Sequence, residues 1–417
     1  MNTWKPTKDT AEKVISQYGS PSYLYNVDSM IESYNNIREK LDKKYELFYS
    51  LKANPNISIV KAFYENGLGA EVSSRTELET ALLAGIPSQK IIFVGPGKTT
   101  SELERAIDLG LLAIVSESIE ELEFISKYSE SRNLKTNVML RVNPSFEASG
   151  SALAMGGKPR QFGIDEEIVI KESKYIKDLR GINIIGAHIY VGTRFLNYKD
   201  IIRNSENILK TIISLQDIFG YPFDLIDIGG GWGVPYFDNE AELDLKNLII
   251  ELNNLSLNII KSKFRGKVII ELGRYLTASH GVLLTTVNYI KESRGVKFAI
   301  TDGGTNIQLG AVGLGGFVKR NFPIINITAP KNKSEEFYIT GPLCTPTDTV
   351  AKNITISLSG QGNIIATLQS GAYGPTASPI YFLGHGYPAE IIIKNNSLHL
   401  VRVRDTYKDL LKNQILI

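Results

Sequence analysis

The sequence of 417 residues is short of the groups that crosslink chains or hold structural metals. Its one cysteine, Cys344, excludes an internal disulfide and suits a reducing compartment. His188, His280, His385 and His399 stand far apart with no metal-ligand spacing, so no metal is expected. No apolar run reaches the roughly 18 residues that span a bilayer. The amino terminus, MNTWKPTKDTAEKV, lacks the apolar stretch of a signal peptide. Charge of one sign is scarce too. The 46 basic and 44 acidic residues leave +2, which argues against a general nucleic-acid binder. A cytoplasmic protein is expected, with a length that predicts two domains.

What is present is a rhythm. From about residue 45 to residue 275, short apolar runs alternate with longer amphipathic segments. YELFYSL, GAEV, KIIFVG, LAIVS, TNVMLRV, IIGAHIYV, DLIDIG and KVIIEL read as eight strands. Between them lie helical patterns such as NISIVKAFYENGL, which spaces Ile59, Ala62, Phe63 and Leu68 along one face. Repeated strand–helix units predict a parallel sheet closed as a (β/α)₈ barrel, with a doubly wound open sheet as the alternative. After about residue 276 the helical rhythm fades. GVLLTTVNYIKES, KFAITDGG, NITISLSG, NIIATLQSG, AEIIIKNN and LHLVRVR are strand-length pieces between turns, which predicts an all-β carboxy-terminal domain.

The stretch YSLKANPN puts Lys52 at the end of an apolar strand with no partner charge beside it. A strand-end lysine alone is most often a solvated charge. In a barrel, however, reactive groups gather where strands end. Glu71 lies on the second strand and His188 and Tyr190 near the end of the sixth. Gly229, Gly230 and Gly231 end the seventh, and Glu271, Gly273 and Arg274 the eighth. The IDIGGGWGVP turn is no dinucleotide fingerprint, because Pro235-Tyr236-Phe237 follows where a helix should open. Bare glycine amides can still approach a phosphate closely. A lysine, a glutamate and a glycine turn at one mouth describe a site for a phosphate-bearing cofactor held through the lysine amine.

YSLKANPN, GAEVSSRTELETALLAGI, IIFVGPGKT, RVNP, IDIGGGWG, ELGRY, GPLCTPTD and SGAYG, in this order, resemble the fold-type III pyridoxal-phosphate decarboxylases. That family includes the diaminopimelate, ornithine and arginine decarboxylases. The resemblance implies an alanine-racemase-like barrel over residues 26–275, and a β domain formed by 1–25 with 276–417. It implies a homodimer whose active sites lie at the subunit interface, with pyridoxal 5'-phosphate attached to Lys52. Glu271 would face the pyridine nitrogen, keeping the electron sink strong. Gly229 to Gly231, Gly273-Arg274 and Thr193 would hold the phosphate, and Glu71, His188 and Tyr190 would line the cofactor. Tyr373 would reach it from the β domain. Cys344 would act near Cα from the neighbouring subunit. An amine in a partly desolvated pocket is expected to attack a carbonyl at neutral pH.

Departures from the family pattern bear on substrate. Tyr190 stands where a histidine usually stacks on the ring, with His188 two residues earlier on the same side of the strand. Diaminopimelate enzymes follow the cysteine with Glu-Ser to grip a distal amine, whereas Cys344 is followed by Thr345-Pro346. Their Arg-Pro pair for the distal carboxylate is also missing: after Asp302 no basic residue occurs before Lys319. SGSALAMGGKPRQFGID, VGTRFL and SGAYGPTASPIYFLGH resemble the butirosin-pathway branch, which decarboxylates L-glutamate thioesterified to an acyl-carrier protein in antibiotic biosynthesis. The resemblance therefore implies α-decarboxylation of a glutamyl-like group on a carrier protein. Lys158, Arg160, Lys319 and Arg320 are candidates to meet that protein's acidic surface. The alternatives are a decarboxylase of a free diamino acid such as diaminopimelate or ornithine, or of a siderophore-pathway intermediate. A racemase of this fold type would pair the ring nitrogen with arginine, against Glu271. A decarboxylase-like regulator without activity would have little reason to keep Lys52, Glu271, Cys344 and Tyr373.

Overall fold

The computed structural model describes residues 3–150, 153–154, 156–237, 239–310, 320–328 and 334–417. The chain divides into two compact units. One comprises Tyr34–Val234 and Glu242–Gly273, the other Met1–Ser33, Pro235–Ala241 and Arg274–Ile417.

The first unit is a closed barrel. Its strands are β1 Tyr45–Ser50, β2 Gly69–Val72, β3 Ile91–Phe93, β4 Ala113–Ser116, β5 Thr136–Asn143, β6 Ile182–His188, β7 Leu225–Asp227 and β8 Lys267–Leu272. Each pairs in parallel with the next, and β8 returns to β1, so the sheet has no edge and the open-sheet alternative is excluded. Parallel strands covered on both faces need nearly continuous apolar runs. KVIIEL meets that need, with Val268 to Leu272 all buried. Phe48, Ile92, Val115, Met139, Ile185 and Ile269 fill the interior. Each such burial contributes roughly 1.5–3 kcal/mol relative to exposure.

Turn chemistry sets the strand ends. After β1 the chain makes one 3₁₀ turn, Leu51–Ala53, and enters the helix Ile57–Glu65. The Tyr49 hydroxyl donates to the Asn54 carbonyl at 2.8 Å, and Asn56 caps the helix by accepting the Ser58 amide at 3.1 Å. These bonds hold the lysine turn from both sides.

The second unit is mostly sheet. Its central strand, Gly281–Ser293, pairs antiparallel with Ser22–Asn26, Val296–Thr301 and Ile364–Thr367. Ser22–Asn26 in turn pairs in parallel with Ala389–Lys394, so the amino-terminal strand lies inside this sheet. Leu24, Val282, Leu284, Ala366 and Ile391 form its core. Among the described residues, no helix is long and apolar enough to cross a membrane.

Candidate active site

Lys52 has a partner that the sequence conceals. The ladder between β1 and β2 sets Ser50 beside Glu71, and Lys52 Nζ lies 2.8 Å from Glu71 Oε2. The expectation of a lysine without a partner charge is therefore corrected: parallel pairing supplies one from 19 residues away. Glu71 is fully buried, and the Ser73 hydroxyl donates to its other oxygen at 2.8 Å. Burial alone would raise this carboxyl's pKa. The Lys52 charge and hydrogen bonds from Lys52, Ser73 and Ser50 outweigh it, so the pKa falls below its ordinary value. The amine also stands 6.0 Å from the centre of the Tyr190 ring.

Three groups gather at the ends of β6, β7 and β8. His188, Asp227 and Glu271 are all buried, and one ligating atom from each lies within 4.8 Å of the others. His188 Nε2 is 3.9 Å from Glu271 Oε1. Both His188 ring nitrogens, Asp227 Oδ2 and Glu271 Oε1 lack a hydrogen-bond partner. Burial, then the positive charges of Arg141, Lys52 and Lys98, pushes His188 well below its usual range, so the ring is neutral. Burial, followed by the negative charges of Asp227 and Glu71, pushes Glu271 well above the carboxylate range. Burial also raises Asp227, to about 7. The sequence reading did not single out Asp227. Its signal was a lone charge closing the apolar run Leu225-Ile226 just before a glycine turn.

That turn is glycine for steric reasons. Gly229 and Gly231 have φ of 65° and 85°, in the left-handed region. A Cβ on Gly229 would stand 2.5 Å from the Tyr190 ring, one on Gly230 would strike the Glu271 carbonyl, and one on Gly231 the Gly192 carbonyl. The Glu271 amide donates to the Gly229 carbonyl at 2.9 Å, tying the turn to β8. Gly192 and Thr193 form a short strand beside it, and the Phe195 amide donates to the Gly231 carbonyl at 3.0 Å. Gly273 leaves no room for a side chain either, since a Cβ would be 2.8 Å from that of Ala53. The barrel unit thus brings together Lys52, Glu71, His188, Tyr190, Thr193, Gly229 to Gly231, Glu271 and Gly273.

Arg274, Tyr373 and Cys344 belong to the β unit. Arg274 is buried, donates to the Tyr236 hydroxyl at 2.8 Å, and has its guanidinium 4.4 Å from the centre of the Tyr373 ring. Tyr373 itself has φ of 53°, in the left-handed region. Cys344 is exposed, on the loop between strands Glu335–Thr340 and Thr349–Ile356.

Of the basic candidates, Lys158 and Arg160 are exposed on the loop after β5, and Lys158 Nζ is 3.6 Å from Glu147. Arg320 lies over the Phe237 ring and donates to Asn239 at 3.1 Å. Lys319 lies outside the described residues.

Comparison with known proteins agrees with this geometry. The family described as pyridoxal-dependent decarboxylase, pyridoxal binding domain, matches residues 27–278. The chain is 36% identical over 404 residues to the L-glutamyl-[BtrI acyl-carrier protein] decarboxylase of Niallia circulans, covering 96% of this chain and 94% of that one. It is 29% identical to the diaminopimelate decarboxylase of Zymomonas mobilis, covering 96% and 94%. The crystal structure of diaminopimelate decarboxylase from Methanocaldococcus jannaschii superposes with a TM-score of 0.89 at 27% identity, covering 97% and 94%. The Helicobacter pylori enzyme complexed with L-lysine gives 0.86 at 27%, covering 96% and 98%.

Pyridoxal phosphate needs an amine to hold it, an acid–base group for its ring nitrogen and amides open to its phosphate. The barrel unit offers Lys52, the buried and unpartnered Glu271 Oε1, and a glycine turn closed to side chains. One nitrogen and two oxygens in His188, Asp227 and Glu271 are also a donor set suited to a divalent cation, but the matching family is one that binds an organic cofactor. The residues fit the cofactor that the family carries, and this chain belongs to the pyridoxal-phosphate-dependent decarboxylases, as a carboxy-lyase acting on amino acids.

Proposed function

We propose that this decarboxylase removes the α-carboxylate of a glutamyl-like aminoacyl group tethered to an acyl-carrier protein. One observation carries the choice over a free diamino acid. The first acid after Cys344 is Asp348, and it is buried and engaged within the β unit. Its Oδ1 accepts the Thr305 amide at 2.7 Å and the Thr305 hydroxyl at 2.8 Å, while Oδ2 accepts the Leu343 amide at 2.8 Å. Asp348 therefore cannot replace the missing acid that would grip a distal amine. A thioester masks the distal carboxylate and needs neither that acid nor a basic partner for it.

In this reading Lys52 attaches the cofactor, and Glu71 holds the amine at the strand end until it does so. Glu271 faces the ring nitrogen. Gly229 to Gly231, Gly273-Arg274 and Thr193 receive the phosphate. Tyr190 supplies an aromatic face, and neutral His188 backs Glu271 without adding charge. Tyr373 completes the cofactor's surroundings, and Cys344 serves the site of a second copy, making the enzyme a homodimer of the cytoplasm. When bound, pyridoxal phosphate supplies the electron sink for the carbanion left at Cα as carbon dioxide departs. The deciding experiment measures carbon dioxide release from carrier-linked aminoacyl thioesters and from free diamino acids. Turnover confined to free diaminopimelate, ornithine or lysine would overturn the proposal.

A further inference from the structure

We infer that Asp227 is a positioning residue that keeps the proton of a two-carboxyl pair, leaves the negative charge on Glu271, and fixes the glycine turn through its other oxygen. One side chain would then couple the ring-nitrogen end of the cofactor site to its phosphate end. The inference rests on the proposed reading that Glu271 faces the ring nitrogen.

Asp227 closes β7 between β6 and β8, in register with His188 on one side and Ile269 on the other. Its Oδ1 accepts the Gly229 amide at 2.8 Å. An aspartate bonding the backbone two residues ahead shapes a turn, and here it holds Gly229 in its left-handed conformation. Its Oδ2 is buried with no group to serve it but the Glu271 carboxyl, whose Oε1 is buried in the same way. Two buried carboxyls this close do not both ionise, so they share a proton. A neutral acid has one O–H donor and retains acceptor capacity. With the proton on Oδ2, Asp227 can donate toward Glu271 and still accept from Gly229. Both orphaned oxygens are then served at once.

Burial raises both carboxyls, so the positive ring nitrogen that Glu271 faces in the proposed reading decides which of them ionises. The charges that bear on the pair are Lys52 and Glu71 at the ends of β1 and β2, and Arg141 on β5, which is ion-paired to Glu117 at 2.8 Å. His188 on β6 is neutral. Burial lifts Asp227 to about 7, within reach of a shared proton at neutral pH. A cation placed against Glu271 lowers the nearer carboxyl most, which leaves the shared proton on Asp227.

The test compares Asp227→Asn, Asp227→Ala and Glu271→Gln for pyridoxal phosphate affinity and for the nitrogen-15 NMR shift of the bound, ring-labelled cofactor. Asparagine mimics the neutral acid, with an acceptor for Gly229 and a donor for Glu271. Asp227→Asn is expected within about threefold of the unaltered protein in Kd, with an unchanged ring-nitrogen shift between about pH 6 and 9. Asp227→Ala removes both bonds and is expected to weaken binding about tenfold or more, moving the shift toward the unprotonated value. If Asn behaves like Ala, Asp227 acts as a charge and the inference is overturned. It is also overturned if Ala matches the unaltered protein. Glu271→Gln should move the ring-nitrogen shift by itself. No movement there removes the reading of Glu271 and the inference with it, whereas movement there with two silent Asp227 variants removes Asp227 alone.

Discussion

Glu271 is 5% exposed and ends a strand bonded on both sides, whereas Cys344 is exposed on a loop folded around one buried aspartate. The contrast extends to their neighbours. In the barrel unit Glu71, His188 and Asp227 are buried on strands whose parallel register fixes the facing of each side chain. A slip of one residue would turn each to the other face. In the β unit the residues after Cys344, Thr345 to Thr347, lie on a loop and bond one another and the next two residues, Asp348 and Thr349. In the proposed reading, groups that handle the cofactor are set by the ladder, and the residues after Cys344 bear on the substrate from a loop. The departures after Cys344 and after Asp302 fall in the β unit, whereas Tyr190 departs within the barrel unit.

The largest effect expected on the ladder side comes from Lys52→Ala. It should abolish turnover and the absorbance of attached cofactor while the fold survives. Glu71 would be left buried without its cation, but the Ser73 hydroxyl remains and a proton can neutralise it. A variant that keeps full turnover would remove Lys52 from the chemistry altogether. Glu271→Gln should still bind cofactor yet slow carbon dioxide release on the order of 10²-fold or more, since an amide cannot carry the opposing charge. An unchanged rate would make Glu271 a packing residue.

On the loop side, Cys344→Ala and Lys52→Ala proteins, each inactive, should regain activity when mixed under subunit exchange. Mixed dimers would contain one site with both residues if Cys344 serves a neighbouring copy. Demonstrated exchange with no recovered carbon dioxide release would place Cys344 in its own subunit's site or outside any.

The barrel pattern was legible, since all eight strands overlap the apolar runs, whereas Ile324–Asn326 and Glu335–Thr340 of the β unit matched no strand-length piece. The ends of the barrel strands were legible as a set of residues but not as a set of contacts. The Lys52–Glu71 pair depends on register between strands, which periodicity alone does not specify. Asp227 escaped because an aspartate two residues before a glycine reads first as turn chemistry, which is half of what it does here. The excursion Pro235–Ala241, which groups with the β unit, follows a turn legible for its glycines but not for the path of the chain beyond them.

A smaller effect is expected from acid. His280, in the β unit, bonds Ser29 at 2.9 Å and Ser33 at 3.1 Å, and burial lowers it to about 4. Its unfolded value is about 6.5. The unfolded chain therefore binds more protons between these values, and the stability this site contributes is present above about pH 6.5 and lost as pH falls toward 4. Denaturant titrations should show His280→Gln losing less stability than the unaltered protein between about pH 7 and 5, by on the order of 1–3 kcal/mol. Equal losses would mean that the serines accept a charged ring.

The smallest effect, and the one most specific to a carrier-borne substrate, belongs to Lys158 and Arg160. Both are exposed on the loop after β5, and Lys158 is only loosely paired with Glu147, itself exposed. Such a pair contributes little to stability, about 0–1 kcal/mol, so reversing both residues to glutamate should leave the melting temperature nearly unchanged. An acidic carrier protein would be attracted by the native loop and repelled by the reversed one. KM for the carrier-linked substrate should therefore rise severalfold, while a small thioester mimic that never meets the rim is turned over as before. Salt separates this from a general defect. Screening weakens attraction in the native protein and repulsion in the variant, so added salt should raise KM in the first and lower it in the second. Equal losses on carrier-linked and small substrates, with no such inversion, would assign the two residues to support of the loop itself.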